Sequence, residues 1–131
     1  SNPDKWVVLP EIISKEPLGP LVRHGDHQWG DVVRWSLNAM IIAEELGVTS
    51  ENVDAQKSSN VPEVLRLLGV EGSYGEMLEL APDWAYQIIK QIGNYSESYE
   101  ANVGPDTPLE IARGLNALWT QGGILYAPPF R

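Results

Sequence analysis

Two imidazoles and a carboxylate fall within His24-Gly25-Asp26-His27. A metal ion takes ligands of these types. The stretch also reads as a turn running into a helix, with Asp26 as N-cap, and the chain has no third His. A capped surface turn is the preferred reading. Carboxylates are plentiful at Glu44-Glu45, Glu76, Glu79, Glu97 and Glu100. Paired acids hydrolyse glycosides when they face each other across a cleft. Sequence spacing does not supply that distance, and acidic helices carry such pairs on solvated faces. No G-x-S-x-G, S-x-x-K, phosphate-binding loop or G-x-G-x-x-G occurs. Trp29, Trp35, Trp84 and Trp119 offer stacking surfaces for sugars or peptides, but among Leu, Ile and Val they read as core. The expected catalytic residues, metal ligands and cofactors are therefore none.

Composition narrows the partners. The 131 residues suit one compact domain, and 43% are hydrophobic, enough to build a core. The net charge of −9 argues against nucleic acid and against docking on an anionic membrane. The longest apolar cluster, Ala39 to Ala43, is far short of the ~20 residues that span a bilayer. No cysteine is present, so disulfides and thiolate metal sites are excluded. No secretory leader is recognisable, and that leaves the compartment open.

The elements that would position these residues are mostly helical. Trp6-Val7-Val8-Leu9 and residues 18–23 read as two short strands joined by a proline-stiffened connector. Apolar residues at 29, 32, 33, 37, 40, 41, 42 and 46 predict a helix over 27–46, stopped by Gly47. Ser50-Glu51-Asn52-Val53 starts a short helix. Asn60-Val61-Pro62-Glu63 gives an N-cap, an early Pro and a capping-box Glu for another, stopped by Gly69. Ser73-Tyr74-Gly75-Glu76 opens a single turn. Pro82 suits a first helical position, for a helix running on past Gly93 through Tyr95 and Tyr99 to Val103. Thr107-Pro108-Leu109-Glu110 repeats the capping-box pattern. Gly122-Gly123 and Pro128-Pro129 predict an irregular tail. The fold class expected is mainly α with a small β element (α+β). Two short strands alone are marginal in water. Either they form a ribbon on the helices or they belong to sheets built by residues outside this chain.

Several stretches carry a family resemblance. They are LPEIISKEPLGP at 9–20, EELGVTS at 44–50, IARGLNALW at 111–119, Gly122-Gly123 and YAPP at 126–129. Together they resemble the C-terminal part of the periplasmic general L-amino-acid-binding proteins, the family 3 solute-binding components of ABC importers. The resemblance implies a protein more than twice this length, with two α/β lobes closing on an amino acid and presenting a surface to the membrane permease. It implies binding without chemistry, so no enzyme, and the periplasm of a Gram-negative bacterium. It divides the chain into 1–25 (end of lobe two, crossover and return strand) and 26–131 (a helical region packing on lobe one). It puts the main ligand-gripping residues outside the chain, so no position here inherits them. Glu16, Pro17, Leu18 and Gly19 are the hinge or crossover candidates, with a stiff connector as the bland alternative. Trp119, Tyr126 and Pro128-Pro129 are expected to staple the tail to the lobes. Exposed strand edges are expected to favour self-association. Two other readings stand beside this one: a stand-alone helical interaction module, and a cell-wall glycan-binding or hydrolysing domain.

Overall fold

The computed structural model describes residues 5, 7, 9–11, 13, 14 and 18–130. Five helices carry them: α1 (His27–Glu45), α2 (Val53–Gln56), α3 (Pro62–Leu67), α4 (Trp84–Ile92) and α5 (Tyr95–Asn102). Single 3₁₀ turns lie at Glu76–Leu78, Gly114–Asn116 and Trp119–Gln121. Helices α3, α4 and α5 and the Glu76–Leu78 turn all pack on α1, while α2 packs on α4.

Helix α1 forms where its start signal and periodicity agree. The Asp26 carboxylate accepts a hydrogen bond from the Trp29 backbone N–H at 3.2 Å, satisfying one of the orphan donors. Gly47 adopts φ +67° and turns the chain out, and Val48 N–H then bonds back to Ala43 C=O at 2.8 Å. Ala39 and Ala43 lie one turn apart and are fully buried, so neighbouring backbones can approach closely. Ile41 and Ile42 flank them. The core continues through Val48, Val53, Val64, Leu67, Leu68, Trp84, Ala85 and Ile89. Gly69 ends α3 at φ +70°, and a Cβ there would run into the Pro82 carbonyl. Glycine is needed at that point both for the turn and for the close approach.

The chain departs from the sequence expectations at five places. First, the helix expected to run through to Val103 breaks in two at Gly93, where φ is 93° and ψ is −177°. Asn94 then restarts the chain with a full capping box: its side chain accepts from Glu97 N–H at 3.0 Å and Glu97 accepts from Asn94 N–H at 2.8 Å. Second, the N-cap of α3 is Val61, not Asn60. Pro62 holds the residue before it extended, which moves the boundary by one. Similarly, Pro82 lies in the turn before α4 rather than in its first position. Third, Thr107-Pro108-Leu109-Glu110 does not start a helix. The Thr107 hydroxyl donates to Gly104 C=O at 2.8 Å and accepts from Leu109 N–H at 3.2 Å, and Glu110 turns left-handed at φ 49°.

Fourth, residues 18–23 form no strand, and Leu18 and Leu21 stand almost wholly in water. Trp6 and Val8 of the other expected strand lie outside the described residues, and Val7 and Leu9 are exposed and not in a strand. A strand needs a partner to satisfy its edge, and the described residues offer none there. Among them the β structure is a single parallel bridge, Leu118 to Leu125. Fifth, that bridge adds a local fastening to the tail, which is otherwise irregular over residues 126–130 as expected. Trp119 N–H bonds Leu125 C=O at 2.9 Å, Leu125 N–H bonds Ala117 C=O at 3.1 Å, and Gly122 turns at φ +84°. The described residues are thus mostly helical with almost no strand, and the expected α+β class is not borne out among them.

The tail's anchor is Phe130. Its ring is buried and stacks on Trp35 at 5.3 Å, with Tyr74 at 5.4 Å and Trp84 edge-on at 6.1 Å. Trp119 and Tyr126, the expected staples, are 52% and 65% exposed. Removing a buried Phe ring costs about 3 kcal/mol or more, while a half-exposed Trp forfeits far less packing. Phe130→Ala is therefore expected to speed thermolysin cleavage of the tail well beyond the effect of Trp119→Ala. Comparing the two digestion rates checks this, and the reverse order would make Trp119 the anchor.

Candidate functional site

The residues flagged for chemistry do not converge. His24 lies on an exposed turn, His27 is the exposed first residue of α1, and Asp26 before it is committed to capping that helix. Among the described residues no group of three His, Asp or Glu gathers as a metal site would require. Of the hinge candidates, Glu16 and Pro17 lie outside the described residues. Leu18 and Gly19 are exposed, and among the described residues nothing lies within 4 Å of where a Gly19 Cβ would stand. Trp29, read as core, is half-exposed, whereas Trp84 is buried and Trp35 half-buried. One helical stripe cannot bury every large ring on a helix that packs along one side.

What the fold does bring together is a set of polar clamps. The strongest holds Glu44 of α1 to Arg113 of the tail. The Arg113 guanidinium donates to both Glu44 carboxylate oxygens at 3.0 Å and to the Asn116 carbonyl at 2.8 Å. Its Cζ lies 5.4 Å from the Tyr95 ring centre and 5.3 Å from that of Tyr99. The two charged side chains are only 16% and 9% exposed, so the pair is screened from water. Burial raises the Tyr95 hydroxyl above its usual range, with the Arg113 charge acting the other way.

A second clamp centres on Glu97. Its carboxylate accepts from Ser50 hydroxyl at 2.6 Å, from Ser50 N–H at 3.1 Å and from Asn94 N–H. The buried Asn94 amide donates to Val48 C=O at 2.9 Å. The capping box of α5 thereby fixes the loop between α1 and α2. A third group lies on the surface. Asp54 accepts from Lys90 Nζ at 2.7 Å and from Tyr86 hydroxyl at 2.8 Å, and Lys57 Nζ sits 3.3 Å above the Tyr86 ring. The bonds from Lys90 and then Tyr86 hold Asp54 below the usual carboxylate range. The same bonds raise Tyr86 and Lys90.

Two hollows flank Phe130. One, about 160 Å³, is lined by Trp35, Tyr74, Met77 and Leu78. The other, about 300 Å³, lies between α1, α3 and the tail, with Glu45, Glu63, Trp119 and Tyr126 around it. Trp119 Nε1 donates to Glu45 at 3.2 Å. The Ser50–Glu97 and Tyr86–Asp54 hydroxyl–carboxylate contacts join separate segments of the fold, and in that they act as anchors. The Asn94–Glu97 part of the second clamp has capping-box spacing, but no spacing signals the first, since Glu44 and Arg113 stand 69 residues apart.

Comparison with known proteins places this architecture. No known family profile matches the chain. It is 59% identical over 133 aligned residues to the putative amino-acid ABC transporter-binding protein YhdW of Escherichia coli, covering 100% of this chain and 39% of that protein. It is 57% identical to the general L-amino acid-binding periplasmic protein AapJ of Rhizobium johnstonii, over 99% of this chain and 39% of that protein. It is 57% identical to the glutamate/glutamine/aspartate/asparagine-binding protein BztA of Rhodobacter capsulatus, over 95% of this chain and 37% of that protein. A solved ABC transporter periplasmic binding protein from Brucella ovis, with glutathione bound, superposes with a TM-score of 0.92 at 54% identity, over 99% of this chain and 41% of that one. The chain is thus homologous along its whole length to binding proteins of amino-acid ABC transporters, and spans about 39% of the length of the curated relatives it matches.

Two predictions test the clamps. Arg113→Met leaves the Glu44 carboxylate buried without a partner and is expected to cost about 3 kcal/mol. Adding Glu44→Met should recover most of that loss, and denaturant melts of the two variants measure it. No recovery would mean that the hydrogen bonds to Asn116 and the ring contacts, not the ion pair, hold the tail. The Asp54 group sets a pH window. The lowered carboxylate contributes stability above its unfolded value of 3.8, and this fades as pH falls through the folded value. The raised Tyr86 and Lys90 contribute below 10.0 and 10.5, and this fades as pH rises through their folded values. Asp54→Asn should bring Tyr86 down toward ordinary tyrosine titration, read at 295 nm against Tyr86→Phe. An unmoved titration would remove Asp54 as the cause.

Proposed function

We propose that this chain, homologous throughout to binding proteins of amino-acid ABC transporters, works as part of the substrate-binding component of an importer for L-amino acids. The observation that carries the reading is the 57–59% identity to three named binding proteins across 95–100% of the chain. The fold likeness to the Brucella protein supports it independently. In this reading the protein binds and delivers without bond chemistry, in the periplasm of a Gram-negative bacterium, and its other partner is the permease. Residues 1–25 would link two lobes, with Glu16, Pro17, Leu18 and Gly19 at the hinge. Residues 26–131 would form a helical body on one lobe. The apolar side chains that residues 18–22 leave in water suit a covered position in a longer chain, and on their own they favour self-association.

Ligand chemistry follows from the relatives' names. AapJ is named for L-amino acids in general and BztA for the two acidic amino acids and their amides, while the Brucella structure holds glutathione. A glutamyl α-ammonium and α-carboxylate is common to glutamate, glutamine and glutathione. A site for it grips a zwitterion with paired ionic hydrogen bonds. Such contacts must come from both lobes if ligand is to drive closure.

The test is a chimera in which this chain replaces the matching residues of the Rhizobium protein. L-Glutamate and L-glutamine are expected to raise its melting point by mass action, about 2.7 kcal/mol of stabilisation at a hundredfold excess over Kd. The 131-residue chain alone should show no rise. A chimera that melts cooperatively and takes no amino acid would sink the proposal.

A further inference from the structure

Trp119 and Tyr126 are large rings that the fold leaves in water. They meet edge to face at 5.9 Å on the wall of the 300 Å³ cleft between α1, α3 and the tail. The floor of that cleft is apolar, with Ile42 and Phe130 buried beneath it. Its rim carries Glu45 and Glu63. Glu45 is fixed by the hydrogen bond from the Trp119 indole, and the Glu63 side chain is 54% exposed, 3.6 Å from Arg66. Within the described residues Phe130, not these rings, anchors the tail, so Trp119 and Tyr126 keep their exposed surfaces open to a further contact.

The chemistry of the cleft selects one class of occupant. An anion meets two carboxylates within a chain of net charge −9. A neutral apolar group would strip water from Glu45 and return no hydrogen bond. A cation on an aliphatic stem suits the cleft best: the stem meets Ile42 and Phe130, and the charge meets the Trp119 and Tyr126 rings, Glu45 and the half-exposed Glu63, which Arg66 approaches only to 3.6 Å. Beyond Phe130 the second hollow, about 160 Å³, is lined by Trp35, Tyr74 and the exposed Met77. Two adjacent hollows, one acidic and aromatic and one apolar, match successive side chains of a peptide segment better than a free amine.

We infer that this surface docks a protein partner through a Lys or Arg side chain in the acidic cleft, with a neighbouring apolar side chain in the second hollow. The site stands on this chain alone and does not depend on amino-acid binding.

The test uses the ¹⁵N-labelled chain. The indole resonance of Trp119 is identified by its loss in Trp119→Phe. N-acetyl-arginine amide and N-acetyl-lysine amide are expected to shift it saturably, with binding that weakens as salt rises. N-acetyl-arginyl-leucine amide should bind more tightly, and N-acetyl-leucine amide and N-acetyl-glutamate amide should leave the resonance in place. Glu45→Gln with Glu63→Gln should weaken arginine amide binding roughly tenfold, in line with the loss of an ionic and ring-assisted contact. The buried Trp84 resonance, unmoved, shows that the fold is kept, and Glu63→Gln alone serves if the double variant disturbs it. No Trp119 shift, an equal shift with the leucine compound, or carboxamide variants that bind as well as the parent would overturn the inference. A response to spermidine with none to the blocked amino acids would overturn the assignment to a protein partner.

Discussion

Burial against α1 is the constraint on which the other elements depend. At 19 residues it is, among the described residues, the one helix long enough to present a continuous apolar side over several turns. Helices α2 to α5 run from four to nine residues, too short to hold their shape by backbone hydrogen bonds alone. They persist because Val64 and Leu67 of α3, with Trp84, Ala85 and Ile89 of α4, lose water in the same core as Ala39, Ile41, Ile42 and Ala43. The Glu44–Arg113 pair extends this dependence to the C-terminal part. It carries the tail back to α1 across 69 residues of sequence. A charge pair so nearly buried gives direction more than stability, since its desolvation offsets much of its attraction.

Short helices also create a polar problem. Every helix leaves its first four N–H and last four C=O groups without an internal partner, so a chain cut into short helices has many such ends. Here the partners come from across the fold. Glu97 serves the N-terminus of its own helix and the Ser50 N–H together, and Asn94 reaches the Val48 carbonyl. Thr49 and Asn52 exchange side-chain bonds with each other's backbone N–H, at 3.2 and 2.8 Å, to open α2. The loop at 47–52 is therefore held on both sides. Among the described residues, which form no sheet, this sharing of caps between neighbouring elements satisfies the helix ends.

Helix α1 was legible because Asp26, the apolar spacing and Gly47 all agree. The single turn after Gly75 and the short helix after Asn52 were legible for the same reason. The α4–α5 junction was not. Gly93 within an apolar pattern is tolerated in many helices, and what turned it into a break was the Asn94–Glu97 box and its Ser50 partner. The box at Thr107 misled because its hydroxyl was already bonded to Gly104. Residues 18–23 form no strand here because their apolar residues signal pairing without supplying a partner, and none lies beside them among the described residues. At the level of sites, Asp54 and Tyr86 lie 32 residues apart, and no periodicity connects them. The family resemblance was carried by local words such as IARGLNALW, which includes Arg113, yet nothing in those words said that Arg113 would face Glu44.

The C-terminal segment joins these themes. Leu118 is buried and bridged to Leu125, Ala127 is buried, and Phe130 sits among Trp35, Tyr74 and Trp84. Pro128 and Pro129 restrict the backbone between the last two of these anchors, so less conformational freedom is lost when the tail settles. The same anchoring sets Trp119 and Tyr126 upright beside Glu45 and places Phe130 between two surface hollows. A recognition surface built this way is as rigid as the core it rests on, because its floor and its supports are core residues. That rigidity is what makes a half-exposed Trp–Tyr pair useful for binding: the rings are held in place before a partner arrives, and little order remains to be imposed on them.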